Sequence, residues 1–233
     1  MNRQLSSPSP TPSRERGIQY HADGDLDRAI DEYTRVLLAN PSDALTNYSR
    51  ALAFQDLGDL DQAIADYSRA VELRPNWALA YHDRGTAYDQ RDDFLLAIAD
   101  YDKAIALKPT FAVAFNDRGT AYHRRGDLER ALHDFDQAIA LKPDYTLAYR
   151  NRGMVHDHRC EFDAAVADFT RALELDPAEP EIRFRRGFSL FRAGHFVPAR
   201  PDLEFAAQRA SSQLVREQAS ATLALIGAYS CAT

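Results

Sequence analysis

One glycine recurs along this chain at a fixed step of 34 residues. The same phase runs through six successive segments, at Gly17, Ala51, Gly85, Gly119, Gly153 and Gly187. A strict period of this size indicates stacked copies of one supersecondary unit, because a single unit cannot bury its apolar face alone. The period therefore predicts a repeat protein rather than one closed globule, and such proteins mainly provide extended binding surfaces.

Each segment contains two stretches with helical periodicity. In the first stretch, Tyr81 and Tyr88 lie seven positions apart on one helical face, with Gly85 between them, where a second helix can approach closely. In the second stretch, Ala97 and Tyr101 follow the i, i+4 spacing of a helical stripe. We therefore expect two packed helices in every segment.

Residues that favour turns separate these stretches. Glycine ends the first helix of four segments, at Gly24, Gly58, Gly126 and Gly194. Asp92 and Cys160 occupy the same position in the third and fifth segments, where we expect some strain, since left-handed backbone favours glycine. Proline then stops the second helix of the first five segments, at Pro41, Pro75, Pro109, Pro143 and Pro177.

This order of aromatic, glycine, aromatic, alanine, aromatic and proline resembles the tetratricopeptide repeat (TPR), a helix–turn–helix module, over roughly residues 10–213. The resemblance implies an all-α fold: a right-handed α-solenoid of six TPR units plus a C-terminal capping helix. We expect a Ser/Pro-rich disordered tail over 1–12, the solenoid over 13–213 and the cap over 214–230. A proline-rich ligand for another domain is the alternative interpretation of the tail.

The residue before the recurring glycine departs from the family pattern, which usually has leucine there. It is an arginine in all six segments, and an acid follows 16 residues later. The pairs are Arg16 and Glu32, Arg50 and Asp66, Arg84 and Asp100, Arg118 and Asp134, Arg152 and Asp168, and Arg186 and Asp202. In a helical hairpin the two members stand at the same height, so we predict a structural ladder of ion pairs that fixes register.

Composition and motifs narrow the classes of function. The net charge of −7 argues against nucleic acid as the main ligand. The two cysteines are too few for a disulfide framework and suit a reducing, cytoplasmic location. Residues 1–12 contain no apolar run, so we expect neither a signal peptide nor a membrane span there. The phosphate-binding, zinc-protease and serine-hydrolase signatures are missing, so we expect no enzyme activity and no cofactor.

The resemblance places the first helix of each unit on the concave face, which implies a ligand groove there. The predicted groove residues are Tyr48, His82, Asp83, Asn116, Asp117, Arg124, Arg150, Asn151, Phe184, Arg185 and Phe188. The middle of this set is acidic, whereas its C-terminal end combines arginine with phenylalanine, as interface hot spots do. The alternative for the phenylalanines is that they pack under the C-terminal helix.

Some members of the family hold the terminal carboxylate of a peptide with lysine, asparagine and arginine on successive first helices. Here Asn151 and Arg185 match part of that set, but Thr120 and Glu181 replace the expected asparagine and lysine, and the first helices contain no lysine. We therefore do not expect a receptor for chaperone tails. Asn151 remains a candidate to bond the backbone of an extended peptide.

Three histidines raise the question of a metal site. His123, His156 and His158 fall on neighbouring first helices, but residues two apart on a helix face different directions. His156 also replaces an aromatic of the repeat pattern, so we favour a packing role and expect no metal.

The C-terminal segment continues the repeat phase as a single helix. Its apolar residues Leu223, Leu225, Ile226 and Tyr229 leave two interpretations, burial against the last unit or contact with another subunit. Its expected water-facing residues are Arg216, Glu217, Ser220 and Thr222.

Two kinds of function remain, with a third behind them. The first is a protein-interaction module or scaffold that binds a partner peptide or helix in the concave groove. The alternative is a self-assembling scaffold, or a regulatory subunit of a larger complex. The irregular sixth unit, with Pro198 and Pro201 early in its second helix, favours a monomer with a closed end, although assembly through the ends stays open. We expect protein partners, and neither nucleic acid nor membrane.

Overall fold

The computed structural model describes the backbone of residues 13–231 and side chains up to residue 228. The tail predicted over residues 1–12 lies outside this range. Between residues 13 and 231 the chain forms thirteen α-helices and no strand, which confirms the predicted all-α class. The helices fall into two compact units that meet in sequence at Pro109 and Thr110.

Both units consist of helical pairs. The N-terminal unit contains α1 (Arg14–Ala22), α2 (Leu26–Ala39), α3 (Ala44–Leu57), α4 (Leu60–Leu73), α5 (Ala78–Gln90) and α6 (Phe94–Leu107). The C-terminal unit contains α7 (Ala112–Arg124), α8 (Leu128–Leu141), α9 (Thr146–His158), α10 (Phe162–Leu175), α11 (Pro180–Arg192), α12 (Phe196–Arg209) and α13 (Gln213–Cys231). Within each unit every helix packs against its neighbours in sequence, so the odd-numbered helices are the first helices of the repeats.

The turns inside the repeats have left-handed backbone, as the glycines predict. Gly58, for example, ends α3 with φ of 86°. Asp92 and Cys160 adopt the same conformation with φ of 63° and 60°. Because this region costs a residue with a side chain roughly 1–2 kcal/mol, these two turns carry the strain expected from the sequence.

The recurring glycine allows the two helices of a repeat to touch. A Cβ atom added to Gly119 would lie 2.9 Å from Cε1 of Phe135 and 3.2 Å from the carbonyl oxygen of Ala131. Phe135 itself is fully buried and has little room to move. The second repeat carries Ala51 at this position, so one methyl group is accommodated there, whereas a larger side chain would separate the helices.

The predicted ladder of ion pairs is present in all six repeats. The guanidinium of Arg84 binds both carboxylate oxygens of Asp100, with Nε–Oδ2 and Nη2–Oδ1 distances of 2.7 Å. The other pairs are Arg16–Glu32, Arg50–Asp66, Arg118–Asp134, Arg152–Asp168 and Arg186–Asp202. Each pair joins the first helix of a repeat to the second helix of the same repeat.

The same arginines also reach backwards along the chain. Nη1 of Arg84 donates a hydrogen bond of 3.0 Å to the hydroxyl of Ser68, which is 16 residues earlier on the preceding second helix. Three further arginines repeat this contact in the pairs Arg50–Thr34, Arg152–Asp136 and Arg186–Thr170. Each of these four guanidinium groups therefore links three helices and two successive repeats.

In the third repeat, burial disfavours the charged form of the ladder acid, Asp100. Asp100 is 6% exposed, and burial raises its pKa even though the Arg84 guanidinium opposes that shift. When desolvation outweighs pairing in this way, the ion pair contributes more to the choice of one packing arrangement than to the free energy of folding. The bidentate geometry specifies the height at which the two helices meet.

α13 closes the C-terminal unit by packing against α11 and α12. Ala219 is fully buried, and Ile226 is 1% exposed. These two side chains join the apolar cluster around Leu203 of α12. No helix within residues 13–231 has the length and apolarity needed to cross a membrane.

Replacement of Gly119 by leucine should lower the free energy of unfolding by about 1–3 kcal/mol, because the new side chain meets Phe135 and the α8 backbone. The measurement is urea-induced unfolding followed by circular dichroism. Gly227→Leu is the matched control, since no atom lies within 4 Å of a Cβ at that helical glycine. Equal losses in the two variants would show that close packing is not the reason for glycine.

Replacement of Arg84 by leucine should lower the free energy of unfolding by about 3–5 kcal/mol, because it leaves the buried carboxylate of Asp100 without its counterion. The double variant Arg84→Leu/Asp100→Leu should recover most of this loss, since no buried charge remains. The exposed pair of Asp25 and Arg28 provides a control, and Arg28→Leu should cost less than about 1 kcal/mol. A double variant as unstable as Arg84→Leu would contradict the ladder.

Candidate functional site

The first helices of the N-terminal unit present a polar network that is satisfied internally. The Tyr48 hydroxyl donates to Oδ2 of Asp83 at 2.5 Å, and Oδ1 of Asp83 lies 2.8 Å from Nδ1 of His82. Burial, followed by the hydrogen bond to Asp83, raises the pKa of Tyr48. The Tyr67 hydroxyl donates to Oε1 of Gln55 at 2.7 Å. These side chains bond to one another, so this face offers few free groups to a ligand.

Tyr48 and Asp83 also define a recurring contact between successive first helices. The partners are 35 residues apart, and the same spacing joins Asn151 to Asn116 in the C-terminal unit. There Nδ2 of Asn151 donates to Oδ1 of Asn116 at 3.0 Å. We call this contact between residues 35 apart the inter-repeat pair. In both examples a donor meets an acceptor.

Asn116 and Asn151 belong to a longer chain of hydrogen bonds between α7 and α9. Nδ2 of Asn116 donates to Oδ1 of Asp117 at 2.9 Å. At the other end, Arg150 donates through Nε and Nη2 to Oδ1 of Asn151 at 3.5 and 3.4 Å. Both asparagines are buried, so their amides orient neighbouring groups and leave little surface for a ligand.

The next two residues at these repeat positions are different, because they are Arg150 on α9 and Arg185 on α11, and their charges interact. Within residues 13–228, neither guanidinium lies within salt-bridge distance of a carboxylate. Arg185 is exposed at the surface, but neighbouring protein partly desolvates it and so lowers its pKa. The positive charge of Arg150 lowers that pKa further. Two like charges thus occupy a position that elsewhere holds a donor and an acceptor.

Asp157 raises the pKa of Arg185, but its carboxylate has other partners. Oδ1 of Asp157 accepts a hydrogen bond from the Ser189 hydroxyl at 2.8 Å, and Oδ2 lies 3.3 Å from Nη1 of Arg192. The carboxylate of Asp157 therefore binds Ser189 and Arg192 in the C-terminal half of α11. The arginine pair keeps an excess of positive charge.

A cavity of about 560 Å³ opens beside Arg185, between α11 and α13. Phe184 and Phe188 stack at its base with ring centroids 5.7 Å apart. Leu214 and Leu225 border it and are 62% and 52% exposed. The full lining is Asp157, Glu181, Phe184, Arg185, Phe188, Leu214, Val215, Gln218, Ala221, Thr222 and Leu225. The cavity is mostly apolar, with polar groups near its edge.

Two polar residues of this lining are held by the protein itself. Oε1 of Glu181 accepts hydrogen bonds from the backbone N and hydroxyl of Ser211, which lower the pKa of Glu181. Thr222, predicted to face water, is 4% exposed instead, and its hydroxyl donates to the Gln218 carbonyl oxygen at 2.8 Å. The prediction was wrong because α13 turns this residue towards α11.

The three histidines have separate partners. Nε2 of His123 lies 2.8 Å from Nδ1 of His158, and burial, His158 and Arg185 together lower the pKa of His123. Nδ1 of His156 lies 2.7 Å from Oε2 of Glu161. Among the residues that the structure describes, no three His, Cys, Asp or Glu side chains converge as metal ligands would.

The predicted groove residues therefore play different parts. His82 and Phe184 are each only 9% exposed, like the buried asparagines, and act mainly in contacts between helices. Arg124 is exposed at the end of α7. Phe184, Arg185 and Phe188 line the cavity, and Arg150 interacts electrostatically with Arg185.

Sequence reasoning did not identify the contribution of α13 to this site. The repeat phase contains the signal, because Gln218 and Leu225 lie 34 residues after Phe184 and Phe191. By this phase, α13 is the first helix of a seventh repeat. It should therefore pack against α11 in the same way as α11 packs against α9.

Replacement of Arg150 by glutamine should raise the melting temperature slightly, equivalent to about 0.2–1 kcal/mol, because it removes repulsion from Arg185. The gain should shrink as added salt screens the two charges. Differential scanning calorimetry at low and physiological salt measures both effects. Arg200→Gln is the control, since Arg200 lies on the exposed side of α12 near Glu204. A lower melting temperature only in Arg150→Gln would contradict the repulsion.

Known proteins match both the sequence and the fold. Tetratricopeptide repeat family models match residues 51–92, 78–111, 100–133, 119–182 and 161–215. The crystal structure of MamA is 30% identical, with a TM-score of 0.66 over 69% of this chain and 94% of that chain. No curated protein sequence matches the chain.

Two more distant structures share the fold. YrrB, a TPR protein, is 22% identical, with a TM-score of 0.65 over 81% of this chain and 97% of that chain. PilW, a type IV pilus biogenesis factor, is 18% identical, with a TM-score of 0.76 over 88% of this chain and 95% of that chain. The helical pairs, the recurring glycine and these matches agree, and the chain belongs to the tetratricopeptide repeat family.

Proposed function

We propose that this chain is a protein-interaction module whose C-terminal unit binds a segment of a partner protein on α9, α11 and α13. The observation that carries the proposal is the open apolar cavity between α11 and α13. A volume of about 560 Å³ accommodates a few side chains of a peptide or helix. Exposed leucines at its edge gain from being covered by a partner.

The composition of the cavity supports a protein partner. Arg185 stands beside Phe184 and Phe188, and arginine with aromatic residues dominates binding energy in protein interfaces. The base is rigid because Phe184 packs in the buried cluster with Leu203 and Ile226. A rigid base reduces the entropy lost on binding.

The comparisons support the general class of function. TPR proteins as a family act mainly through protein contacts, and the YrrB structure is described as having an unusual peptide-binding site. That description applies to YrrB, and an identity of 22% supports only a shared fold with this chain. The exposed free thiol of Cys160 supports a reducing, cytoplasmic location as part of the proposal.

A random-peptide library displayed on phage tests the proposal with the full chain as bait. We expect the wild-type chain to enrich a defined set of peptides. Leu225→Glu should reduce their retention about tenfold or more, because it places a charge at the apolar edge of the cavity.

Val197→Glu is the matched control. Val197 is 85% exposed on α12 and does not line the cavity, so the same charge change there should leave retention unchanged. Thermal melts of both variants verify that the fold is intact. Failure of the wild-type chain to enrich any peptide, or equal losses in the two variants, would overturn the proposed function.

A further inference from the structure

We propose that the bound segment carries an aspartate or glutamate side chain between Arg150 and Arg185, close to a bulky apolar side chain that enters the cavity between α11 and α13. This inference rests on the proposed function and adds the chemistry of the partner. It follows from the positions of Arg150 and Arg185, for which residues 13–228 supply no carboxylate within salt-bridge distance.

The first step is the contrast among equivalent positions. Where Tyr48 meets Asp83, and where Asn151 meets Asn116, a donor and an acceptor satisfy each other. Arg150 and Arg185 replace them with two cations, which repel. A carboxylate placed between two guanidinium groups removes that repulsion and accepts charge-assisted hydrogen bonds from both. The site is thus arranged for an acid that residues 13–228 do not supply.

The second step is the orientation of Arg150. Its Nε and Nη2 groups point to Oδ1 of Asn151, and that amide is fixed in turn by its hydrogen bond to Asn116. Nη1 of Arg150 has no hydrogen-bond partner among residues 13–228. These long contacts orient the guanidinium and leave donors unused, which reduces the ordering needed when a ligand binds.

The third step concerns the kind of anion. Asp157 and Glu181 line the same cavity, and their charges repel a second negative charge on a ligand. The guanidinium fork matches carboxylate and phosphate alike, but a singly charged carboxylate meets less repulsion from Asp157 and Glu181 than a doubly charged phosphate. We therefore assign the site to an acidic side chain rather than to a phosphorylated residue.

The fourth step places the acid within the partner segment. Arg150 and Arg185 lie on α9 and α11, with the asparagine contact to α7 on one side and the cavity to α13 on the other. A segment bound at the pair can continue in both directions along these helices. An internal acid with an apolar neighbour fits this arrangement, and a terminal carboxylate is not required.

The experiment uses the peptides that the wild-type chain enriches from the displayed random library. We expect an Asp or Glu at a fixed spacing from Leu, Phe or Trp. A synthetic, C-terminally amidated peptide should bind the full chain in fluorescence anisotropy. Replacement of its acid by Gln or Asn, or the protein changes Arg150→Gln and Arg185→Gln, should each weaken binding about 10- to 100-fold.

Two further variants sharpen the test. Arg200→Gln removes an exposed arginine elsewhere on the C-terminal unit and should leave affinity unchanged. Arg185→Glu should lose the acidic peptide and regain affinity for the same peptide with Lys in place of its acid, which mere unfolding of the variant could not produce.

Several outcomes would overturn the acid assignment while leaving the proposed function standing. They are enriched peptides without an acid, binding that requires a free C-terminal carboxylate, tighter binding of a phosphoserine peptide, or affinity unchanged in Arg150→Gln and Arg185→Gln. If no peptide is enriched at all, both the proposed function and this inference are wrong.

Discussion

The fold depends on one arginine per repeat. Its guanidinium binds the buried acid 16 residues later on the second helix of its own repeat. In four repeats it also reaches the second helix of the preceding repeat. A group with five donors in a rigid plane can meet both partners at once, which the leucine typical of the family cannot do. The same contact therefore sets the height of the helices within a repeat and the position of the next repeat.

Much of this arrangement could be predicted from the sequence because it repeats. The period identified the glycine contact, and the six matched charges identified the ladder, since chance does not pair six arginines with six acids at one spacing. The backward contact was also present in the sequence, as polar residues at Thr34, Ser68, Asp136 and Thr170. It was missed because a single small polar residue is not distinctive on a helix surface.

The site was harder to predict because it lies at positions that do not repeat. Helical spacing placed Asn116 and Asn151 on the ligand-facing side, but spacing alone does not show that their amides bond to each other and become buried. The cavity depends on the angle at which α13 packs on α11 and α12, which no local pattern encodes. Arg150 and Arg185 were recognisable as candidates, whereas their lack of an acidic partner required the structure.

The ladder has a consequence for how such a chain can change in length. Because its contacts reach 16 residues in either direction within a period of 34, duplication or loss of one whole repeat joins equivalent partners again. The arginine pair has no such freedom: a repeat inserted between α9 and α11 would part Arg150 from Arg185. Whole repeats can thus be added or lost in the scaffold, whereas Arg150 and Arg185 stay together only if α9 and α11 remain in successive repeats.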